Sequence, residues 1–131
     1  ISGPLIDRID LHVEVPAVSF TELRSKQDGS PSSSMRDQVT RAKAKQHERF
    51  KQNGTMTNGH MTGAQLREWC RLDDAGEMVL RQALTELGLS ARAHDKVLRV
   101  ARTIADLADR DTICSDDVLE AVHYRRLDRQ L

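Results

Sequence analysis

Aromatic residues are scarce in this chain: Phe20, Phe50, Trp69 and Tyr124 make up 3% of its 131 residues. A core must then be assembled from Leu, Val, Ile, Ala and Met, which favours packed helices over a β-sandwich. Cysteine is nearly absent. Cys70 and Cys114 lie far apart and form no C-x-x-C pair, so they read as free thiols of a cytoplasmic protein rather than a disulfide. His12, His47, His60, His94 and His123 share no zinc-like spacing with them, and no metal site is expected. No apolar run approaches the ~20 residues of a membrane-spanning helix, and no signal-peptide pattern opens the chain. Net charge is missing as well: 20 Lys and Arg balance 20 Asp and Glu, against a uniformly basic nucleic-acid binder. There is no Gly-Lys pair anywhere, which rules out a phosphate-cradling P-loop within this stretch. Gly-x-Ser-x-Gly, His-Glu-x-x-His and a Cys/His nucleophile pair are absent too, so the chain by itself is not expected to be an enzyme. It begins Ile1-Ser2-Gly3 without an initiator Met and reads as a fragment of something longer.

What is present is mostly helical pattern. Ile9, Leu11, Val13 and Val15 alternate with polar residues up to Pro16, a period-2 strand. No second convincing strand follows. A lone strand leaves its backbone groups unpaired, so its partners are expected outside this stretch, unless the segment is put to other use. Residues 26–34 form a Ser-rich loop after a short helical turn near Thr21–Ser25. A long helix over roughly 35–52 follows, with Ser34 as N-cap, Asp37 in the capping-box position, and a narrow apolar stripe of Met35, Val39, Ala42 and Phe50. Asn53-Gly54 ends it. Thr62 to Gln65 and Asp74 to Glu77 are further capping-box patterns. The first opens a helix bearing Leu66, Trp69 and Cys70; the second opens one bearing Met78, Val79, Ala83, Leu84 and Leu87. Gly88 is placed as a helix-ending glycine, with Leu89 for the accompanying apolar contact. Ser90 caps the most periodic helix, over 91–109, with Val97, Leu98, Ala101, Ile104, Ala105 and Ala108 on one face. Ser115, Asp116 and Asp117 open the last helix, which buries Val118, Leu119, Val122 and Tyr124. The expected fold is mainly α: a helical bundle preceded by a strand-like appendage. Three regions follow from this: 1–18, a linker over 19–33, and a helical domain over 34–131.

Two arginines stand apart by position. Arg8 is flanked by Asp7 and Asp10 just before the strand; on the residues alone it is an ordinary surface ion pair. Arg92 lies in the first turn of the helix over 91–109, where free amides and the macrodipole favour an anion. A cation there is disfavoured by about 0.3–1 kcal/mol. It is either a solvent-facing side chain or one of the contacts of a phosphate ligand. Arg outnumbers Lys 15 to 5, a bias that suits gripping carboxylate or phosphate. Between Arg36 and Lys51 six cations face two anions. There Arg41, Lys45 and Arg49, spaced i, i+4, i+8, form a stripe that is either a DNA-phosphate contact or a solvated helix face. Arg92, Lys96 and Arg99 form a similar stripe, better suited to a nucleotide or a neighbouring subunit. Trp69, beside Leu66, reads as core rather than a base-stacking platform.

Four segments carry a family resemblance. Ser2-Gly3-Pro4-Leu5-Ile6-Asp7-Arg8-Ile9-Asp10-Leu11 through Pro16 resembles the segment before the lid in the Mg-chelatase-like AAA+ ATPases of the ComM/YifB family. Leu89 to Leu107 resembles a helix of that family's C-terminal domain, and Glu120 to Arg125 its closing helix. Asn58-Gly59-His60-Met61 is similar, less specifically, to a short Asn/Met element.

The resemblance implies that residues 1–18 are the end of an ATPase core. It implies a cytoplasmic homo-hexamer that uses ATP and Mg²⁺ bound between subunits and couples hydrolysis to DNA remodelling or branch migration in natural transformation. Arg8 would be the arginine finger, acting in trans, and Arg92 the sensor-2 arginine, in cis or in trans. Neither ATP nor Mg²⁺ is expected on this stretch alone, which is expected to be monomeric, with no membrane partner and with DNA as a candidate partner. The alternatives are a magnesium chelatase subunit and a stand-alone helical adaptor without ATPase activity.

Overall fold

The computed structural model describes residues 3–52, 54 and 57–125. Residues 1–2, Asn53 of the expected helix stop, and the 126–131 end of the expected helical domain lie outside the described residues. Seven α-helices run through the described part: α1 (Gly3–Asp7), α2 (Phe20–Leu23), α3 (Ser32–Phe50), α4 (Gly63–Trp69), α5 (Asp74–Leu87), α6 (Ala91–Leu107) and α7 (Ser115–His123). A single 3-10 turn, Asn58–His60, separates α3 from α4. The mainly-α expectation holds.

α6 is the centre. Ala93, Val97, Ala101 and Ala105 recur every four residues and are wholly buried. This ridge is almost flat, so other elements approach the helix closely. α3, α4, α7 and the 3-10 turn all pack on α6, and α5 packs on α7. The core between them includes Phe50, Met61, Leu66, Leu80, Ile113, Val118 and Val122. Trp69 is half-buried against this core, with the Arg49 guanidinium 5.8 Å from its ring.

Several helix signals work as read. Thr62 accepts from the Gln65 amide while Gln65 returns a bond to the Thr62 amide. Ser90 accepts from the Ala93 amide at 3.1 Å. Gly88 adopts the left-handed conformation, φ 59°, and the Leu89 amide reaches back to the Leu84 carbonyl. Other boundaries shift. α3 starts at Ser32 behind Pro31, whose φ of −68° and ψ of 148° make it the N-cap. Ser34 therefore sits inside the first turn instead of capping it. Proline's fixed φ suits a helix entrance and wins over the serine signal. α5 is capped by Asp73, which accepts from the Gly76 amide at 2.7 Å, one residue before the expected start.

The buried faces also differ in part. Only the second half of α3 packs: Ala42, Gln46 and Phe50 are buried, whereas Met35 and Val39 are exposed. Met78, Leu119 and Ala108 are exposed, and Leu80 and Ala121 take core places.

The largest correction concerns residues 9–15. No strand exists among the described residues. With no neighbouring strand there is no ladder, and the alternation has nothing to bury against. Ile9, Leu11, Val13 and Val15 are all exposed, rising to 82% at Val15. The opposite face contributes the buried residue, His12, whose amide donates to the Tyr124 carbonyl at 2.7 Å.

A polar knot lies inside the bundle. Asp106 on α6 has no exposed surface. Arg49 donates to it through two nitrogens at 2.7 and 2.9 Å. Asn58 Nδ2 donates at 2.8 Å, and Arg102 Nη2 lies 3.2 Å away. The Asn58 amide in turn donates to Gln46 Oε1. Arg102 also donates to the carbonyls of Arg110 and Asp111, which α6 has left behind. Burial lowers the Arg102 pKa, and Asp106 offsets part of that. Near the surface, Arg110 forms a two-bond fork with Asp117, both at 2.6 Å. Burial alone would raise the Asp117 pKa, but bonds from Arg110 and the Cys114 amide bring it below the usual carboxylate value.

Two outcomes follow from these contacts. Asp106→Ala strands the cations of Arg49 and Arg102 in the interior and should cost roughly 3–5 kcal/mol, read as a lowered urea midpoint; Lys45→Ala, on the surface, should leave that midpoint nearly unmoved. The stability lent by Asp117 is complete above a carboxylate's unfolded pKa of about 4 and is lost as pH falls through its lowered folded value. Urea midpoints followed from pH 7 to pH 2 should show that acid loss in the parent protein and a shallower one in Asp117→Asn.

Candidate functional site

The N-terminus of α6 meets the segment around Arg8. Ser90 Oγ, besides capping α6, donates to Asp7 Oδ1 at 2.8 Å. Arg92 Nη1 donates to Asp7 Oδ2 at 3.3 Å. The anion expected at this helix end is thus supplied from within the chain, by the residue next to Arg8. Arg92 keeps 55% of its side chain exposed.

Arg125, only 1% exposed, approaches the same segment from beyond α7. Its Nη2 donates to the Asp7 carbonyl at 3.4 Å, and its Nη1 to the carbonyls of Ile9 and Asp10. Its Nη2 lies 3.7 Å from Asp7 Oδ1. Lys96 pairs with the Asp10 carboxylate. Ile6 is buried, and His12 Nε2 donates to the Ile6 carbonyl at 3.1 Å.

These contacts decide how Arg8 sits. Its flanking carboxylates are committed elsewhere, Asp7 to Ser90, Arg92 and Arg125, and Asp10 to Lys96. The surface ion pair that its neighbours suggest is not formed. The Arg8 side chain is exposed and has no ion pair among the described residues. Arg92, 84 positions further on, is brought onto the carboxylate of Asp7, the residue next to Arg8. The sequence pattern did not point to Arg125 or to the linking role of Asp7. Their signal is only spatial, since the contacts span 83 to 118 residues.

The two basic stripes fare differently. Of Arg41, Lys45 and Arg49, only Arg41 is fully exposed. Arg49 is turned inward to Asp106, with 9% of its side chain exposed, and is corrected here from a candidate DNA contact to a core residue. Desolvation beside an apolar helix face is tolerable for a guanidinium only when a carboxylate answers it. Lys45 is tied to Asp111 at 3.1 Å and Asp109 at 3.2 Å, and these bonds, Asp111 first, raise its pKa. In the second stripe, Arg99 donates to the Met61 carbonyl at 2.9 Å and holds the 3-10 turn. Lys96 serves Asp10, so only Arg92 is left facing outward.

A groove of about 570 Å³ opens beside this assembly, its lining including Leu11, Lys96, Val100, Ile104, Leu107 and Glu120. Cys70 is a buried free thiol whose pKa burial pushes up to about 11, which leaves it a poor nucleophile. Cys114 is a half-buried free thiol beside Asp117. Among the described residues no helix is long and apolar enough to cross a membrane.

Comparison with known proteins places this architecture. The family described as "Magnesium chelatase, subunit ChlI C-terminal" matches residues 29–125. The chain is 36% identical over 132 residues to the competence protein ComM of Haemophilus influenzae, and 37% identical over 132 residues to the uncharacterized protein YifB of Escherichia coli K12; both alignments cover 100% of this chain. An uncharacterized protein of Mycobacterium tuberculosis H37Rv is 36% identical over 126 residues, or 96% of this chain. In all three cases the chain spans 25% of the relative's length. With 97 consecutive residues matched to the family and this likeness running through the segment of Arg8 and Asp7, the chain belongs to the magnesium chelatase ChlI C-terminal family and is a Mg-chelatase-like protein of the ComM/YifB type.

Proposed function

We propose that this chain is the finger-and-lid region of a hexameric AAA+ ATPase that couples ATP hydrolysis to DNA remodelling, of the kind that serves competence. The observation that carries this reading is the state of Arg8: an exposed residue with no ion pair among the described residues, on a backbone whose neighbours on both sides are fastened down. Such an arginine suits a ligand outside its own fold. As an arginine finger it reaches the γ-phosphate held by a neighbouring subunit and offsets the charge that builds up in the transition state.

Arg92 reads the nucleotide from the lid. The N-terminus of α6, with the Ser90 hydroxyl and the Arg92 guanidinium, accommodates an anion, and the Asp7 carboxylate already occupies that position. The Arg92–Asp7 pair is solvent-exposed and therefore weak. A nucleotide phosphate, with more charge and more acceptor oxygens, competes for Arg92 on favourable terms. ATP with Mg²⁺ supplies the hydrolysable bond; this chain supplies two cations that approach it. DNA contact, where it involves α3, falls to Arg41 and the exposed first half of that helix. A magnesium chelatase subunit is the second reading, favoured by the description of the matched family; the likeness to ComM and YifB over the whole chain favours the motor.

In the full-length protein, Arg8→Ala should leave ATP binding largely intact and lower kcat by about 10³-fold or more; wild-type turnover would remove the role assigned to Arg8. Arg92→Ala removes charge-assisted hydrogen bonds worth about 1.5–3 kcal/mol and should lower kcat/KM for ATP by about 10- to 100-fold in steady-state assays. Stimulation of turnover by branched DNA, and not by a porphyrin with its partner subunits, separates the motor from the chelatase.

A further inference from the structure

We infer that Arg125 is a positioning residue for Arg8. The inference rests on the reading of Arg8 as the arginine finger. Arg125 cannot itself reach a nucleotide, because only 1% of it is exposed. Among the described residues its guanidinium is engaged by backbone carbonyls and by the Asp7 carboxylate. It donates to the carbonyls of Asp7, Ile9 and Asp10, the residue before Arg8 and the two after it. The Arg8 carbonyl alone is passed over in this row.

A planar guanidinium can serve several carbonyls at once because its donors diverge in a fixed fork. Here that fork holds a segment with no strand partner and little apolar burial of its own. The remaining fastenings point the same way. The Asp7 carboxylate is held by Ser90 and Arg92 on α6, and the Asp10 carboxylate by Lys96 one turn further along. The Arg8 amide closes the α1 turn on the Leu5 carbonyl at 3.1 Å. The backbone of Arg8 is therefore fixed to the helical bundle while its exposed side chain has no ion pair among the described residues.

This arrangement matters for a group that acts across a subunit boundary. A long side chain delivers charge to a transition state only if its Cα is held still, and a misplacement of about 1 Å can cost about 10²-fold in rate. Arg125 provides that restraint from the far end of the described chain, and it joins the finger and the sensor into one body. Displacement of α7 or of α6 would move both arginines together.

The test is a double-mutant cycle on the full-length protein, reading kcat and KM for ATP. Arg125→Lys keeps the charge but cannot fork to three carbonyls. It should lower kcat by about 10- to 100-fold with KM for ATP within about twofold. In an Arg8→Ala background the same substitution should change kcat little, since there is no finger left to misplace. Should Arg125→Lys fail to fold by circular dichroism, Lys96→Met provides the same cycle with a smaller loss of kcat, because it releases only the Asp10 carboxylate. A fall in kcat that multiplies undiminished in the Arg8→Ala background, or a rise in KM alone, overturns the positioning role and leaves the finger standing. Wild-type turnover in Arg8→Ala overturns the finger, and the positioning role with it.

Discussion

A carboxylate with no exposed surface organises the bundle. Asp106 sits on the buried face of α6, where an unanswered charge would destabilise the fold by several kcal/mol. It is answered by Arg49 from α3, Asn58 from the 3-10 turn and Arg102 from its own helix. The acceptor thus dictates where α3 ends up, why residues 57–61 turn as they do, and which way the chain leaves α6. The apolar ridge of α6 brings the helices together, but apolar contact alone tolerates sliding. The directional bonds to Asp106 fix one arrangement, which makes the knot more a matter of register than of net stability.

The same logic recurs on a smaller scale where the Arg8 segment meets the helical bundle. Arg125 answers backbone carbonyls as well as the Asp7 carboxylate, and the segment it holds has no strand partner among the described residues. The Asp106 knot and the Arg125 fork take up Arg49, Arg102 and Arg125. These guanidinium groups fold the chain, whereas Arg8, Arg24, Arg36, Arg41, Arg67, Arg71, Arg81 and Arg92 are exposed. A bias in composition that suggests phosphate binding is thus in part an internal affair.

What could be read in advance follows the range of the interactions. Helix signals that act over three or four residues, such as Thr62 with Gln65, Ser90 with the Ala93 amide, and Gly88 with its left-handed turn, are legible because cause and effect lie side by side. Pro31 outcompeted Ser34 at the start of α3, a local contest that the serine pattern alone misjudged. The stripe of Arg41, Lys45 and Arg49 had the right spacing but the wrong destination, because whether a cation faces water or a buried carboxylate depends on Asp106, 57 residues further on. Residues 9–15 show the limit most plainly. Alternation states which side chains want cover; it does not say that cover is present. Arg8 and Arg92 stood out by position and took their expected roles from resemblance; what could not be seen was that the Asp7 carboxylate reaches Arg92.

One consequence of the fork on the Arg8 segment lies in the order of synthesis. The contact between Arg125 and the Ile9 carbonyl bridges 116 residues. During translation the early segment emerges long before the side chain that holds it. A nascent chain therefore presents Arg8 without the Arg125 contacts, and its backbone gains that anchor only once the residues after α7 have left the ribosome.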